Sequence, residues 1–132
     1  MATDSQRKEF SALFSAMLPI DLAARFDALL ALSPELWSKI DPWRVWDKPP
    51  FGQSHVTELE DPESSPLLHA RFDSQVRVLR CGHSKSPGIS EEPLRGILDG
   101  SSHVLDGFVS IDPGKFGLAI NHDGGLCILR RP

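Results

Sequence analysis

The sequence predicts an α+β fold, in which two to three N-terminal helices pack on one face of an antiparallel sheet of about five strands. Apolar residues recur at helical spacing through residues 1–46, whereas residues 67–132 hold short alternating runs separated by turn signals. Helices followed by a strand meander are typical of this fold class. A chain of 132 residues is expected to form a single domain. An acidic, proline-rich connector is expected over residues 47–66.

The helical part begins with a clear pattern. Four apolar residues fall at i, i+3, i+4 and i+7, namely Phe10, Leu13, Phe14 and Met17. Thr3 and Gln6 precede them at the spacing of a capping box, which predicts where this helix begins. Pro19 is expected to end it and begin a second helix. Ser33 and Pro34 have the residue types of an N-cap and a first helical position, so they predict a third, short helix.

The second half of the chain predicts the sheet. Strands are expected at about residues 67–72, 75–80, 103–111, 115–121 and 126–131. Asp112-Pro113-Gly114 and Asp123-Gly124-Gly125 have the composition of tight turns, so the last three strands should form a meander. A short helix is expected near 90–99. The last strand ends in Arg130-Arg131-Pro132, and charge with proline there suits a protected sheet edge.

Charge and cysteine content limit the classes of function. The net charge of −4 is local, because residues 47–66 hold five carboxylates against one lysine. No stripe of Lys and Arg stands out, which disfavours nucleic-acid binding. Two cysteines are too few for a secreted disulfide framework, and neither a signal peptide nor a membrane span is predicted. The sequence therefore predicts a soluble, cytoplasmic protein.

Residues 82–86, Gly-His-Ser-Lys-Ser, are one residue short of the G-x-S-x-G nucleophile elbow of serine hydrolases. That elbow needs a strand, a sharp turn and then a helix. A strand-like run leads into the segment, but Pro87 and Gly88 follow at once and oppose a helix. Ser84 is therefore expected to lie in a polar loop and not to act as a nucleophile.

A metal site is the alternative for this region. Cys81, His83, His122 and Cys127 have the side chains that zinc prefers, and the last two flank a predicted hairpin turn. Their C-x-H and H-x₄-C spacing does not match the strong zinc signatures. The favoured interpretation is one core thiol and one loop thiol, with no catalytic residue, no cofactor and no metal. A small metal-binding protein or a hydrolase-like enzyme that uses these four residues remains the alternative.

The favoured function is therefore non-catalytic protein binding. Trp37, Trp43 and Trp46 lie close together in sequence, and their commonest role is to seal helices onto a sheet. Exposed aromatics beside a charged rim are also typical of protein-binding surfaces. The predicted partner-binding residues are Trp43, Trp46, Glu58, Glu60, Asp61 and Glu63. The hypothesis is a small inhibitor or immunity-type protein that neutralises a basic toxin or enzyme by occluding it.

Overall fold

The computed structural model describes residues 3–47, 55–59, 66–104 and 106–130. The helices are α1 (Asp4–Met17), α2 (Ile20–Leu30), a 3-10 helix (Pro34–Lys39), α3 (Arg44–Asp47), α4 (Pro66–His69) and α5 (Leu94–Leu98). The strands are β1 (His55–Leu59), β2 (Gln75–Arg80), β3 (Gly88–Pro93), β4 (Gly107–Asp112), β5 (Phe116–Ile120) and β6 (Leu126–Arg130). The fold is α+β, as the sequence predicts. No helix in these ranges has the length and apolar character needed to cross a lipid bilayer.

One antiparallel sheet of six strands organises the chain, in the order β1-β6-β5-β4-β2-β3. The predicted strands at 75–80, 115–121 and 126–131 are confirmed as β2, β5 and β6. The strand predicted at 103–111 is confirmed as β4, although β4 begins only at Gly107. These four strands are the centre of the sheet, where alternating side chains are buried on both faces.

Two local predictions about this half are wrong. The strand expected at 67–72 is replaced by α4 and the turn that follows it, and Leu68 and Phe72, four positions apart, are buried in the same apolar cluster. The helix expected from Ser90 begins at Leu94 instead. Residues 88–93 form β3, since Glu92 precedes a proline and is therefore biased towards an extended backbone.

The connector prediction also needs correction. Residues 55–59 form β1, which pairs with β6, so the segment 47–66 is not without regular structure. Because β1 lies outside β6, the last strand is an inner strand and not the expected sheet edge. The backbone N–H and C=O groups on the outer side of β6 are paired by β1. The local sequence of β6 does not show that such a partner exists.

The N-terminal helices cover one face of the sheet, as predicted. The capping box at Thr3 and Gln6 is present at the start of α1. Phe14 of α1, Phe26 of α2 and Phe108 of β4 make mutual edge-to-face contacts, with ring centroids 5.0–5.9 Å apart. Such contacts between large buried rings fix the helices against the strands.

The opposite face is covered by α4 and α5. Leu68, Leu94 and Ile97 of these short helices are buried in one cluster with Val78 and Leu118 of the sheet. Both faces of the central strands are therefore apolar core. The polar groups suited to chemistry must lie at the ends of the strands, where the chain leaves the sheet.

Candidate metal centre

Three chain segments leave the sheet at the same end. Arg80, the last residue of β2, pairs with Gly107, the first residue of β4, and Gly107 pairs on its other side with Ile120, the last residue of β5. Antiparallel pairing thus places the residue before β4 beside those that follow β2 and β5. His83, Asp106 and His122 meet there, with one ligand atom from each within 4.8 Å of the others.

The centre of the group is Asp106, whose side chain is fully buried. Its Oδ2 accepts a hydrogen bond of 2.7 Å from the backbone N–H of His83 and lies 2.9 Å from His83 Nδ1. Its Oδ1 lies 3.2 Å from His122 Nδ1. No Lys or Arg in the described ranges pairs with this carboxylate. A buried carboxylate is costly unless a cation or several hydrogen bonds compensate it.

The loop after β2 has a glycine where the Asp106 carboxylate approaches its backbone. Gly82 has a φ of +57°, in the left-handed region, and its N–H donates to the carbonyl of Trp37 at 3.1 Å. A Cβ at Gly82 would lie 2.6 Å from Asp106 Oδ2, which is closer than real Cβ contacts come. Only glycine therefore combines this backbone conformation with this approach.

The side chain of Ser84 is hydrogen-bonded to the backbone of Asp106. Its Oγ donates to the Asp106 carbonyl at 2.8 Å and accepts from the Asp106 N–H at 3.3 Å. Both functions of the hydroxyl are thus used, and no histidine of the described chain bonds to it. The expectation that Ser84 lies in a loop is confirmed. Its role in the structure is to position Asp106.

His122 is positioned from the loop between β5 and β6. The side chain of Asn121 is buried, and its Oδ1 accepts from the N–H groups of Asp123 and Gly125 at 3.0 and 2.9 Å. These bonds close the loop on itself, as an Asx turn does. The adjacent His122 is thereby held at the end of the sheet, with its ring centroid 4.4 Å from that of His83.

One nitrogen of His122 lies between a donor and an acceptor. The indole N–H of Trp43 donates to His122 Nδ1 at 3.1 Å, and the same Nδ1 lies 3.2 Å from Asp106 Oδ1. A ring nitrogen that accepts from the indole carries a lone pair and cannot donate to the carboxylate. The lone pairs of this nitrogen and of Oδ1 then face each other, and this arrangement is repulsive without a cation nearby.

The separations between these atoms suit a metal ion. Ligand atoms about 2.1 Å from an ion lie roughly 3.0 Å apart at right angles and roughly 3.4 Å apart in a tetrahedral arrangement. The nitrogen–oxygen distances, 2.9 Å from His83 to Oδ2 and 3.2 Å from His122 to Oδ1, are close to this spacing and join each histidine to a different carboxylate oxygen. The side chain of His83 is 65% exposed and that of His122 is 33% exposed, so the group opens towards solvent.

The two cysteines do not join the histidines. Cys81 and Cys127 are both buried, unbridged and part of the core under the N-terminal helices. Burial, followed by the charges of Asp106 and Asp41, raises the pKa of the Cys81 thiol well above its usual range. A thiol that stays protonated is a poor metal ligand. Of the four residues in the alternative metal set, His83 and His122 meet at Asp106, whereas Cys81 and Cys127 lie in the core.

Asp106 is not among the residues that the sequence predicts for a site. It is 23 residues from His83 and 16 from His122, so no spacing motif connects the three. The signal that could have found it is its position directly before a buried strand, next to Gly107. A Cβ at Gly107 would lie 2.5 Å from the Leu79 carbonyl, which indicates very close strand packing beside the aspartate.

The structure describes the side chain of only one of the six predicted partner-binding residues. Trp43 is half-buried, and its edge faces the ring of His122 with centroids 5.7 Å apart. Trp46 lies in α3 and Glu58 in β1, but their side chains are outside the described part of the structure. Glu60, Asp61 and Glu63 lie outside the described residues altogether. An acidic, aromatic partner surface therefore stays a prediction.

No protein-family model, curated protein or solved structure matches this chain significantly.

Proposed function

We propose that this protein binds a divalent transition-metal ion through His83, His122 and Asp106. The observation that carries the proposal is the fully buried Asp106 carboxylate, which faces two imidazole nitrogens and no lysine or arginine of the described residues. A dication between these groups would neutralise the carboxylate and use the nitrogen lone pairs.

A protonated histidine is the other source of positive charge. The contact from Trp43 argues against it at His122, because an indole N–H can only donate and therefore needs an unprotonated Nδ1. A metal ion takes the same lone pair. Ion binding would thus release the Trp43 N–H from His122 while leaving the imidazole neutral.

The donor set restricts the class of metal. Two imidazole nitrogens and one carboxylate oxygen suit Zn²⁺, Co²⁺, Ni²⁺ or Fe²⁺ better than Mg²⁺ or Ca²⁺, which prefer all-oxygen ligands. Three protein ligands leave at least one coordination position for water or a ligand, as in metal sites that act on substrates. The exposure of both histidines is in keeping with such an open position.

The test is metal titration of chelator-treated protein. Calorimetry with Zn²⁺ should give one ion per chain, and Co²⁺ should produce visible d–d absorption. His83→Ala and His122→Ala should each weaken binding by more than roughly 100-fold. His69→Gln is the matched control, since His69 is the last residue of α4, is exposed and contacts Phe72. Unsaturable wild-type binding, or equal affinity in all three variants, would refute the proposal.

Protein binding is a second proposal, which retains the sequence-based hypothesis of a cytoplasmic module that neutralises a toxin or enzyme. It is favoured by Leu32 and Leu36, two large apolar side chains that lie four positions apart after α2 and are 44% and 43% exposed. A stoichiometric partner should co-purify with the wild type and be lost with the double substitution Leu32→Ser and Leu36→Ser. A partner retained by that variant, or none with the wild type, would count against this proposal.

A further inference from the structure

A cavity of about 330 Å³ lies beside the candidate metal centre, and its described lining consists of Arg80, Ser84, Lys85, Ser86 and His103. Three of these side chains carry nitrogen donors and two carry hydroxyls, and no carboxylate is among them. The cavity is large enough for a small ligand. Its lining has an excess of hydrogen-bond donors, and this excess is the feature that needs a chemical explanation.

The position of Arg80 is set by three acceptors. Its guanidinium donates to Ser90 Oγ, to the Glu92 carboxylate and to the carbonyl of Ser102. A guanidinium has five N–H groups, so two remain beyond these three bonds among the described residues. Glu92 balances the charge of Arg80 and holds its plane in place, while Lys85, whose side chain is exposed, adds an unbalanced positive charge.

His103 reaches the cavity in an unusual backbone conformation. Its φ is +52°, and it is the one non-glycine residue of the described chain in the left-handed region. The N–H of Ser102 donates to the carbonyl of Gly96 in α5 at 2.9 Å, which ties the loop to this helix. The N–H of His103 donates to the Gly100 carbonyl within the loop at 3.2 Å. Residues held in such conformations are enriched at ligand sites.

We propose that this cavity binds the phosphate group of a small ligand. The guanidinium of Arg80, the ammonium of Lys85, the hydroxyl of Ser86 and the imidazole of His103 line the cavity and together offer more donors than the two oxygens of a carboxylate can use. The three terminal oxygens of a phosphate ester match them better, with charge-assisted hydrogen bonds. Hydrogen bonds hold Arg80 and the His103 loop in place before any ligand arrives, which lowers the entropy lost on binding.

The inference does not rest on metal binding, because none of the five lining residues is one of the three proposed metal ligands. The two sites are nevertheless adjacent. Ser84 lines the cavity and also holds the backbone of Asp106, and Lys85 is two residues from His83. A phosphorylated ligand in the cavity would therefore lie close to the metal centre.

The experiment uses full-length, chelator-treated protein at low ionic strength, titrated with inorganic phosphate and followed by amide chemical shifts and calorimetry. Saturable shifts are expected at Ser84, Lys85, Ser86 and His103. Lys85→Ala should weaken binding by about threefold to tenfold, the range for loss of a partly exposed charge-assisted bond. Lys115→Ala is the matched control, because Lys115 is also exposed but lies in the turn after β4, at the opposite end of that strand.

His103→Asn is the second test variant, since asparagine tolerates the left-handed conformation and the loop should keep its fold. It should weaken phosphate binding while the unfolding transition stays unchanged. His122→Ala should keep phosphate affinity even if it abolishes metal binding, which separates the two proposals. The inference is overturned if phosphate gives no saturable shifts, if the shifts fall elsewhere, or if Lys85→Ala and Lys115→Ala have equal effects.

Discussion

Strand β4 has an aspartate at each end, and the two differ in almost everything except residue type. Asp112 is its last residue, with a side chain 42% exposed, and it pairs with the Arg71 guanidinium at 2.7 Å. Asp106 directly precedes the strand, is fully buried and faces two histidines. An exposed carboxylate is solvated whether or not it finds a partner. A buried one depends on its neighbours, and those of Asp106 include no permanent cation among the described residues.

A glycine lies near each end of β4, and the two are in different surroundings. Substituting them should give the largest difference in the free energy of unfolding. Gly82 and Gly114 both have left-handed φ values, of +57° and +72°. A Cβ would strike Asp106 at Gly82 but would meet nothing within 4 Å at Gly114. We expect Gly82→Ala to lower the free energy of unfolding by about 3 kcal/mol and Gly114→Ala by about 1 kcal/mol. Urea unfolding measures both, and equal losses would show that Asp106 does not approach Gly82 as described.

The second prediction compares the aspartates through their response to metal. Zn²⁺ at about 100 times its Kd should stabilise the wild type by about 2.7 kcal/mol. Asp106→Asn should remove this stabilisation, because the amide is a weaker ligand and carries no charge, whereas Asp112→Asn should keep it. Thermal unfolding with and without Zn²⁺ provides the measurement. Zinc stabilisation that survives in Asp106→Asn would rule out the carboxylate as a ligand.

The third prediction concerns the indole that competes for His122. Metal binding must break the hydrogen bond from Trp43, which is worth about 1 kcal/mol. Trp43→Phe should therefore bind Zn²⁺ about fivefold more tightly, provided that the ring packing is kept. Metal addition should also change the tryptophan fluorescence of the wild type but not that of Trp43→Phe. The indole N–H of Trp37 donates to the Leu32 carbonyl, so Trp37 should not respond. Weaker zinc binding by Trp43→Phe would contradict the proposed competition.

The smallest change in stability is expected at the exposed end of β4, where Arg71 pairs with Asp112. The hydrogen bond from Arg71 lowers the pKa of the Asp112 carboxyl, so this pair stabilises the fold above the ordinary aspartate pKa near 3.9. Its contribution should disappear as the pH falls through the lowered folded-state value. Because the pair is exposed, Arg71→Gln should cost no more than about 0.5 kcal/mol at pH 7. The difference from the wild type should vanish near pH 2 in chemical unfolding. A persistent difference at that pH would assign another role to Arg71.

Residue patterns within short segments predicted the helices and strands whose formation depends on those segments alone. The apolar spacing from Phe10 to Met17 and the capping box at Thr3 predicted α1. Alternating apolar residues predicted β2, and two turn signals predicted the division of the following segment into β4, β5 and β6. The failures have a common cause. The run around Leu68 and Phe72 fits both a helical turn and a strand, and β1 exists through its pairing with β6, which no local pattern encodes.

For the candidate site, too, some features follow from the local sequence and others depend on the tertiary structure. The sequence by itself determined which side chains could do chemistry, including His83 and His122, and showed that the loop at Gly82 and Ser84 has no helix to make it an elbow. Only the tertiary structure decided which of them meet. Antiparallel register aligns Arg80, Gly107 and Ile120, so it brings Asp106 to both histidines. Cys127 in β6 and Cys81 directly after β2 lie in the core instead. Side-chain convergence depends on pairing between distant segments, and that information is absent from any short stretch of the chain.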